Sequence, residues 1–514
     1  MTFARRIFCA VVLASCAVVG DARADNAGAS RGRELRWGVD VQGGAPYAFQ
    51  NPTDPNHLIG FEVELADAIA ARLGLRARPV LGQWESLLEL LARGDFDVAL
   101  NGIEVTDDKK RVCQLSHAYY AAPEQLTIRR GDAGAPRSLD AVRGRRVGTL
   151  PGSLAERILR RSGADVRTYE SGQDAIYADL ELGRTDAVLL DAPATLYYDA
   201  LQPDLEVVDG DFGEVRYAVA VRLGDDSLLT AVDSAIDALG RDGTLRRIYE
   251  RWGLWNPHTA KLLGDGRPTS SLAIATELEA WRAAVGRQPP FWTRVRTRYP
   301  QLMPMFARGA AVTLLLSLVA MASAVALGIV LAVGRSFGAR PIRWLCLAII
   351  EVIRGTPLFV QLIVVYFGLP ELGLKLPPFV AGWLALSINY AAAEAENYRA
   401  GFASVPAGQQ EAAWSLGLTR WQTIVHVVAP QALRVALPPM TNDFIALLKD
   451  SSLVALVTIT ELTKTYLNLA SATRDHLGLG VVVAGWYLLI GLPFAQLARR
   501  AEQRMARRLR SVAS

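Results

Sequence analysis

Residues 309–334 read GAAVTLLLSLVAMASAVALGIVLAVG, without one charged side chain. A helix needs about 20 apolar residues to cross the hydrocarbon core of a bilayer, because lipid leaves the backbone no partners but its own. This stretch predicts a transmembrane helix and sets the class of everything C-terminal to it. Further spans are expected at Trp344–Leu369, around Leu376–Ala393, in a broken stretch from Val435 to Ile459, and at Leu477–Ala498, five in all. Whole-chain composition agrees: 514 residues are 51% hydrophobic and only 21% charged.

The net charge of +4 is a sum of opposites. Residues 300–514 hold 18 Lys and Arg against 10 Asp and Glu, whereas residues 1–299 are net acidic. Arg335, Arg340 and Arg343 fall in the first loop, and Arg499, Arg500, Arg504, Arg507, Arg508 and Arg510 in the tail; Pro370–Lys375 carries one Glu and one Lys. By the positive-inside rule the first loop and the C-terminus face the cytoplasm, so the acidic half lies outside. Basic charge that flanks apolar spans excludes a nucleic-acid binder, whose charge would line a soluble face.

The N-terminus fits export. Arg5 and Arg6 precede an apolar run from Ile7 to Val19, and Ala22-Arg23-Ala24 is a small-x-small cleavage site, so residues 1–24 read as a signal peptide. Leu13-Ala14-Ser15-Cys16 offers an alternative cut, with Cys16 lipidated. Only Cys113 and Cys346 remain after either, one in each half, and no disulfide framework is expected.

Residues 35–255 alternate short apolar strands (Leu35–Val39, Val98–Leu100, Val147–Leu150, Val188–Leu190, Tyr217–Val221) with helical runs such as Phe61–Leu73, where Phe61, Leu65, Ile69 and Leu73 share a face. This α/β pattern is long enough for two lobes. Ligands in such sheets bind beyond the strand ends, at loops that open helices, and three loops qualify. Asn101-Gly102-Ile103-Glu104-Val105-Thr106 leads to a helix that Thr106 can cap, with Lys109 at its third position. A lysine there opposes the helix dipole by about 0.3–1 kcal/mol unless an anion is near; a solvated surface lysine is the alternative. Pro151-Gly152-Ser153 opens another helix, as a carboxylate seat or a plain cap. Asp191 follows an apolar strand, to bind an ammonium group or to cap the next helix.

This half resembles the periplasmic binding proteins for polar amino acids, of the histidine and lysine/arginine/ornithine type. The likeness rests on Gly38-Val39-Asp40, Gly60 through Leu65, Gly102 through Thr106, Ser116 through Tyr120, and Gly172 through Tyr177 leading to Asp186-Ala187. It implies a two-lobed type II binding-protein fold. Asp40 then meets the ligand side chain, Trp84 forms the floor, Asn101 and Gly102 contact the ligand from the first lobe, Ser153 holds its carboxylate, and Asp191 takes its ammonium. Two positions depart from the family. Lys109 replaces a carboxylate-gripping arginine, whose fork a lysine cannot copy, and Glu104 replaces Ser or Thr. Asp40, Glu104 and Asp191 together favour a cationic ligand, unless Glu104 is spent on a salt bridge to Lys109.

Between the third and fourth spans, residues 394–430 are too polar for lipid. Glu411-Ala412-Ala413, Gly417 and Val428-Ala429-Pro430 suggest helix, turn and helix: an elbow for a partner's groove or simply a loop. The pattern resembles the EAA loop of ABC importer permeases, with Ala429 where the family usually has Leu. Arg354-Gly355-Thr356-Pro357-Leu358 with Gln361, Val405 through Gln409, Pro430 through Leu433, and Leu447 through Leu453 extend the likeness to the polar amino acid permeases over residues 301–514. Glu351 and Arg354, three apart in the second span, are expected as an ion pair. Residues 256–300, with a helix at Thr276–Val285 among Gly264, Gly266, Pro268, Pro289 and Pro290, read as a semi-rigid connector.

These resemblances imply the binding and membrane-spanning subunit of an ABC importer in a bacterial inner membrane. An ATP-binding subunit dimer would supply energy at the elbow, and a second permease chain, expected as a homodimer, would complete the path. No phosphate-binding loop of the form Gly-x-x-x-x-Gly-Lys-Ser/Thr occurs, so ATP would be hydrolysed by the partner; no cofactor or metal is expected. The five histidines, His57, His117, His258, His426 and His476, are scattered, and no catalytic residue is assigned. Rival readings are an amino-acid-gated channel or receptor, since glutamate receptors use a similar domain, and a dehydratase on the binding-protein fold.

Overall fold

A computed structural model of the chain describes residues 34–512 apart from 43, 52–53, 55–56, 170–172, 200–201, 268–275 and 287–288. The signal-peptide reading and the alternative at Cys16 lie outside the described residues. The described chain forms two compact units, an α/β unit of residues 34–302 with 467–479 and a helical unit of 303–466 with 480–512.

The α/β unit has strands β1 (Glu34–Val39), β2 (Phe49–Gln50), β3 (Leu58–Ile59), β4 (Arg76–Leu81), β5 (Val98–Ala99), β6 (Gln114–Arg129), β7 (Arg146–Thr149), β8 (Asp165–Thr168), β9 (Ala187–Asp191), β10 (Leu205–Val208) and β11 (Glu214–Val221). The main sheet runs β4-β1-β5-β11-β6-β9-β7-β8, with β10 also on β6. Strand β1 is parallel to β4 and β5, and β7 to β8 and β9. The crossovers are helices such as Phe61–Arg72, which buries Phe61, Leu65 and Ile69 as its periodicity predicts. Each such side chain contributes about 1.5–3 kcal/mol by leaving water.

The lobes meet at β6, which the apolar pattern did not reveal. Its residues from Gln114 to Pro123 pair antiparallel with β11, and those from Glu124 to Thr127 with β9. One strand therefore belongs to both lobes, and the register passes from one to the other between Pro123 and Glu124. The second lobe has its own core of Leu126, Ile128, Val147, Leu159 and Leu189.

The expected connector begins inside this unit. Asn256 caps the helix Pro257–Leu262, and the Thr259 hydroxyl donates to the Ala121 carbonyl of β6 at 2.6 Å. The helix Thr276–Val285 is present, and it buries Leu278, Trp281 and Val285 in the main core. The described residues 256–267 and 276–285 are therefore packed against the domain rather than strung from it.

In the helical unit all five expected spans fall on helices, but not as five uninterrupted apolar rods. By length and hydropathy alone, Tyr299–Phe337 and His476–Leu497 are sufficient to cross a membrane. The second expected span is broken: Arg340–Arg354 and Leu358–Leu372 meet at 101°. Pro357 explains the break, since it lacks an N–H and pushes the preceding residue out of helical geometry. The third and fourth lie on Pro378–Ala403 and on Ala429–Asp450 followed by a 3-10 turn, Ser451–Val457. Polar residues within them lower their hydropathy, and these residues have partners: Asn389 donates to Gln361, Asn397 to Asp443, and Tyr390 to Asp450. Two expectations fail here. Glu394 does not begin a polar loop but continues the helix Pro378–Ala403. No ion pair joins Glu351 to Arg354 among the described residues; Arg354 ends its helix at the break, and both side chains are exposed.

Candidate ligand cleft and coupling elbow

The first-lobe wall of the cleft is a network built on Asp40 at the end of β1. Its carboxylate accepts backbone N–H groups from Gln42 at 2.8 Å and Trp84 at 3.0 Å, while its own N–H donates to the Asn101 side chain at 3.1 Å. The Trp84 indole donates to the Asn101 carbonyl at 3.1 Å. Asp40, Trp84 and Asn101 thus come together, with Asp40 engaged by the backbone on both oxygens. Gly102 follows at φ +61°, and a Cβ there would lie 3.0 Å from the Tyr47 ring. Only glycine suits that turn. Its N–H donates to the buried Glu62 at 2.8 Å.

Thr106 caps the helix Asp107–Val112 by accepting from the Lys109 N–H, which places Lys109 in the first turn. The alternative of a solvated lysine fails. The Lys109 ammonium is buried, 5.2 Å from the centre of the Trp84 ring and 3.6 Å from Glu104 Oε2. Glu104 is therefore paired with Lys109, and the same oxygen accepts the Leu154 N–H at 2.8 Å from the first turn of the second-lobe helix Leu154–Ser162. Ser153 caps that helix, accepting from Glu156 and donating to the Leu150 carbonyl at 2.8 Å.

Asp191 ends β9. One oxygen accepts the Ala194 N–H and so caps the next helix, and the other accepts the hydroxyls of Tyr47, at 2.7 Å, and Tyr217. Tyr47 and Tyr217 are site residues that the sequence reading missed. Their signal was absent locally: Tyr47 lies in a turn and Tyr217 in the interior of β11, and only the tertiary fold carries both to Asp191. Burial pushes the Asp191 carboxyl above the ordinary range while the two hydroxyls pull it back. Burial raises Glu104 too, against the pull of Lys109. Glu124, on β6 opposite Asp191, is raised well above the usual range by burial and by the charges of Asp191 and Glu104. Lys109 is thus paired with Glu104, while Glu104, Asp191 and Glu124 lie within electrostatic reach of one another. This arrangement suits a ligand with cationic groups and no net negative charge.

The second candidate site is the elbow. Helix Ala407–Ser415 carries Glu411, Ala412 and Ala413, and the turn after it runs through Gly417 at φ +79°. Nothing crowds a Cβ at Gly417, so its backbone angle alone selects glycine. A capping box between Thr419 and Gln422 opens the next helix, Arg420–Thr423, which continues through Ile424–Val428 into the helix bearing Pro430. Ala413 is buried, whereas Trp414, Leu416 and Trp421 are 48%, 83% and 64% exposed.

Residues 35–254 match the bacterial extracellular solute-binding proteins, family 3, and residues 324–507 match the binding-protein-dependent transport system inner membrane component. The glutamine transport system permease protein GlnP of Escherichia coli (strain K12) is 37% identical over 205 residues, 40% of this chain and 94% of that protein. The chain belongs to both families: it is a solute-binding protein fused to a transport permease. The L-cystine-binding protein TcyJ of the same organism matches the other half of the fused protein, 35% identical over 210 residues, 40% of this chain and 78% of that protein. Among solved structures, an ancestral arginine-binding protein bound to arginine is 28% identical, covering 43% of the fused protein and 97% of that chain with a TM-score of 0.40. The relatives of the fused binding protein and permease are components of amino acid ABC transporters, and its permease relatives are inner membrane proteins.

Proposed function

We propose that the fused protein captures a polar amino acid outside the cell, with basic side chains favoured, and passes it through its own helical unit using ATP hydrolysed by a separate subunit. The observation that carries this reading is a buried cation, Lys109, ion-paired to Glu104, whose carboxyl also lies within electrostatic reach of Asp191. A zwitterion needs both signs of charge, and Lys109 and Asp191 supply them; a third, cationic group on the ligand would offset Glu104 once Lys109 turns to the ligand carboxylate. The relatives named for glutamine and L-cystine support an amino acid as ligand. In this reading Asp191 takes the ammonium, Lys109 and the Ser153 turn take the carboxylate, Trp84 floors the pocket, and Asp40, Asn101 and Gly102 hold its wall.

The exposed Trp414, Leu416 and Trp421 fit an elbow that docks in a groove of the ATP-binding subunit, where apolar anchors dominate binding energy. Two permease chains form the path, each bringing a binding domain, with the C-termini in the cytoplasm. The experiment is reconstitution in proteoliposomes with an ATP-binding subunit: one or a few polar amino acids should stimulate ATP hydrolysis and enter the vesicles. Stimulation by no amino acid, or accumulation without ATP, would contradict the proposal.

A further inference from the structure

Glu104 stands in an unusual place. Its Oε2 is held from one lobe by the Lys109 ammonium at 3.6 Å and from the other by the Leu154 N–H at 2.8 Å. The backbone of Glu104 belongs to the first lobe, where it bridges to Tyr217 of β11, while Leu154 opens the second-lobe helix Leu154–Ser162 after the Ser153 cap. A buried ammonium and a helix N-terminus aimed at one point make an anion seat. That seat is filled by a carboxylate of the chain itself, only 6% exposed. The ammonium has no hydrogen-bond partner among the described residues; the Trp84 ring and Glu104 are its neighbours.

We propose that Glu104 is the specificity-determining residue of the cleft: its carboxylate fills the seat that a ligand's carboxylate needs, so an amino acid binds only by turning it out. This rests on the amino acid reading of the cleft. Two ionised carboxylates cannot share one ammonium and one N–H without strong repulsion in a buried site. Once displaced from Lys109 and the Leu154 N–H, Glu104 is left as an uncompensated acid beside the ligand. A second cationic group on the ligand offsets that charge, and a neutral side chain does not. Glu104 therefore weakens every α-amino acid and weakens neutral ones most, which is discrimination by an unfavourable element rather than by an added contact.

The test is equilibrium binding of arginine, lysine and glutamine to the full-length protein in nanodiscs, for the wild type, Glu104→Gln and Glu104→Thr, with thermal unfolding to confirm that the variants fold. Glutamine amide can still accept the Leu154 N–H but carries no charge, and threonine vacates the seat. Both variants should bind glutamine at least tenfold more tightly than the wild type, and the preference for arginine over glutamine should shrink at least tenfold. Arginine carboxamide, which lacks the carboxylate, should gain nothing. Unchanged or weaker amino acid binding in both folded variants would overturn the proposal alone, since Glu104 would then be a ligand contact or a bystander. Binding of no amino acid by any form would overturn the amino acid reading as well.

Discussion

Asp191 does two jobs with one carboxylate: Oδ1 caps the helix after β9, and Oδ2 gathers the hydroxyls of Tyr47 and Tyr217. Asp191→Asn keeps the size and one acceptor oxygen but loses the charge, and calorimetry should find ligand affinity reduced at least 100-fold with little loss of fold. Tyr217→Phe should cost about 1.5–3 kcal/mol of stability, the worth of a hydrogen bond to a charged group. Glu62 sets a pH dependence. Burial raises its carboxyl from 4.5 to about 7, against hydrogen bonds from Tyr119 and the Gly102 N–H. The unfolded chain releases this proton near 4.5, so between pH 4.5 and about 7 the folded state holds more protons, and its stability falls as pH rises through that window. The full span corresponds to about 3 kcal/mol. Thermal unfolding should therefore show the α/β unit more stable at pH 5 than at pH 7.5, and Glu62→Gln should flatten part of that slope. At this scale the sequence disclosed residues that sit at helix openings, such as Lys109, Ser153 and Asp191, because capping and strand ends leave local marks. Tyr47, Tyr217 and Glu124 left none, because each enters the cleft from a segment whose local role is only to turn or to pair.

Among the elements, those with a strong period were legible. The amphipathic helix Phe61–Arg72 and strands β1, β5, β7, β9 and β11 lie within a residue or two of expectation, apart from an earlier start for β11. Strand β6 was not legible, since it contains Pro123, pairs through different neighbours in its two halves, and shows no clean alternation. The bend after Arg354 was hidden because hydropathy averages over a break that Pro357 makes. The elbow was read correctly as helix, turn and helix from Gly417 and Pro430, although its first residues extend a membrane helix. Gly417→Val forces a branched side chain into φ +79°. It should abolish amino-acid-stimulated ATP hydrolysis in the reconstituted complex and leave ligand binding intact. Trp421→Ala, which removes an exposed anchor without altering the turn, should weaken the ATP-binding subunit's hold without distorting the chain; pull-down of that subunit at graded concentrations measures it.

At the scale of the molecule, the fusion was plain from charge and hydropathy. An acidic α/β half precedes a helical half whose arginines flank apolar segments. The two family matches fall on either side of residues 255–323. What the sequence did not disclose is that the joining segment is folded: Trp281 and its neighbours lie in the core of the α/β unit. The described residues 256–267 and 276–285 are thus part of the binding domain, and truncation after residue 255 should lower its melting temperature by several degrees through the loss of those buried side chains. The central claim is that this single chain selects an amino acid and belongs to an importer. The most direct measurement is a binding panel on the purified full-length protein, comparing the twenty amino acids, a set of sugars and inorganic anions by thermal shift and titration calorimetry. One or a few polar amino acids, basic ones foremost, should raise the melting temperature and bind at one site per chain. A shift with a sugar or an inorganic anion, and with no amino acid, would contradict the account.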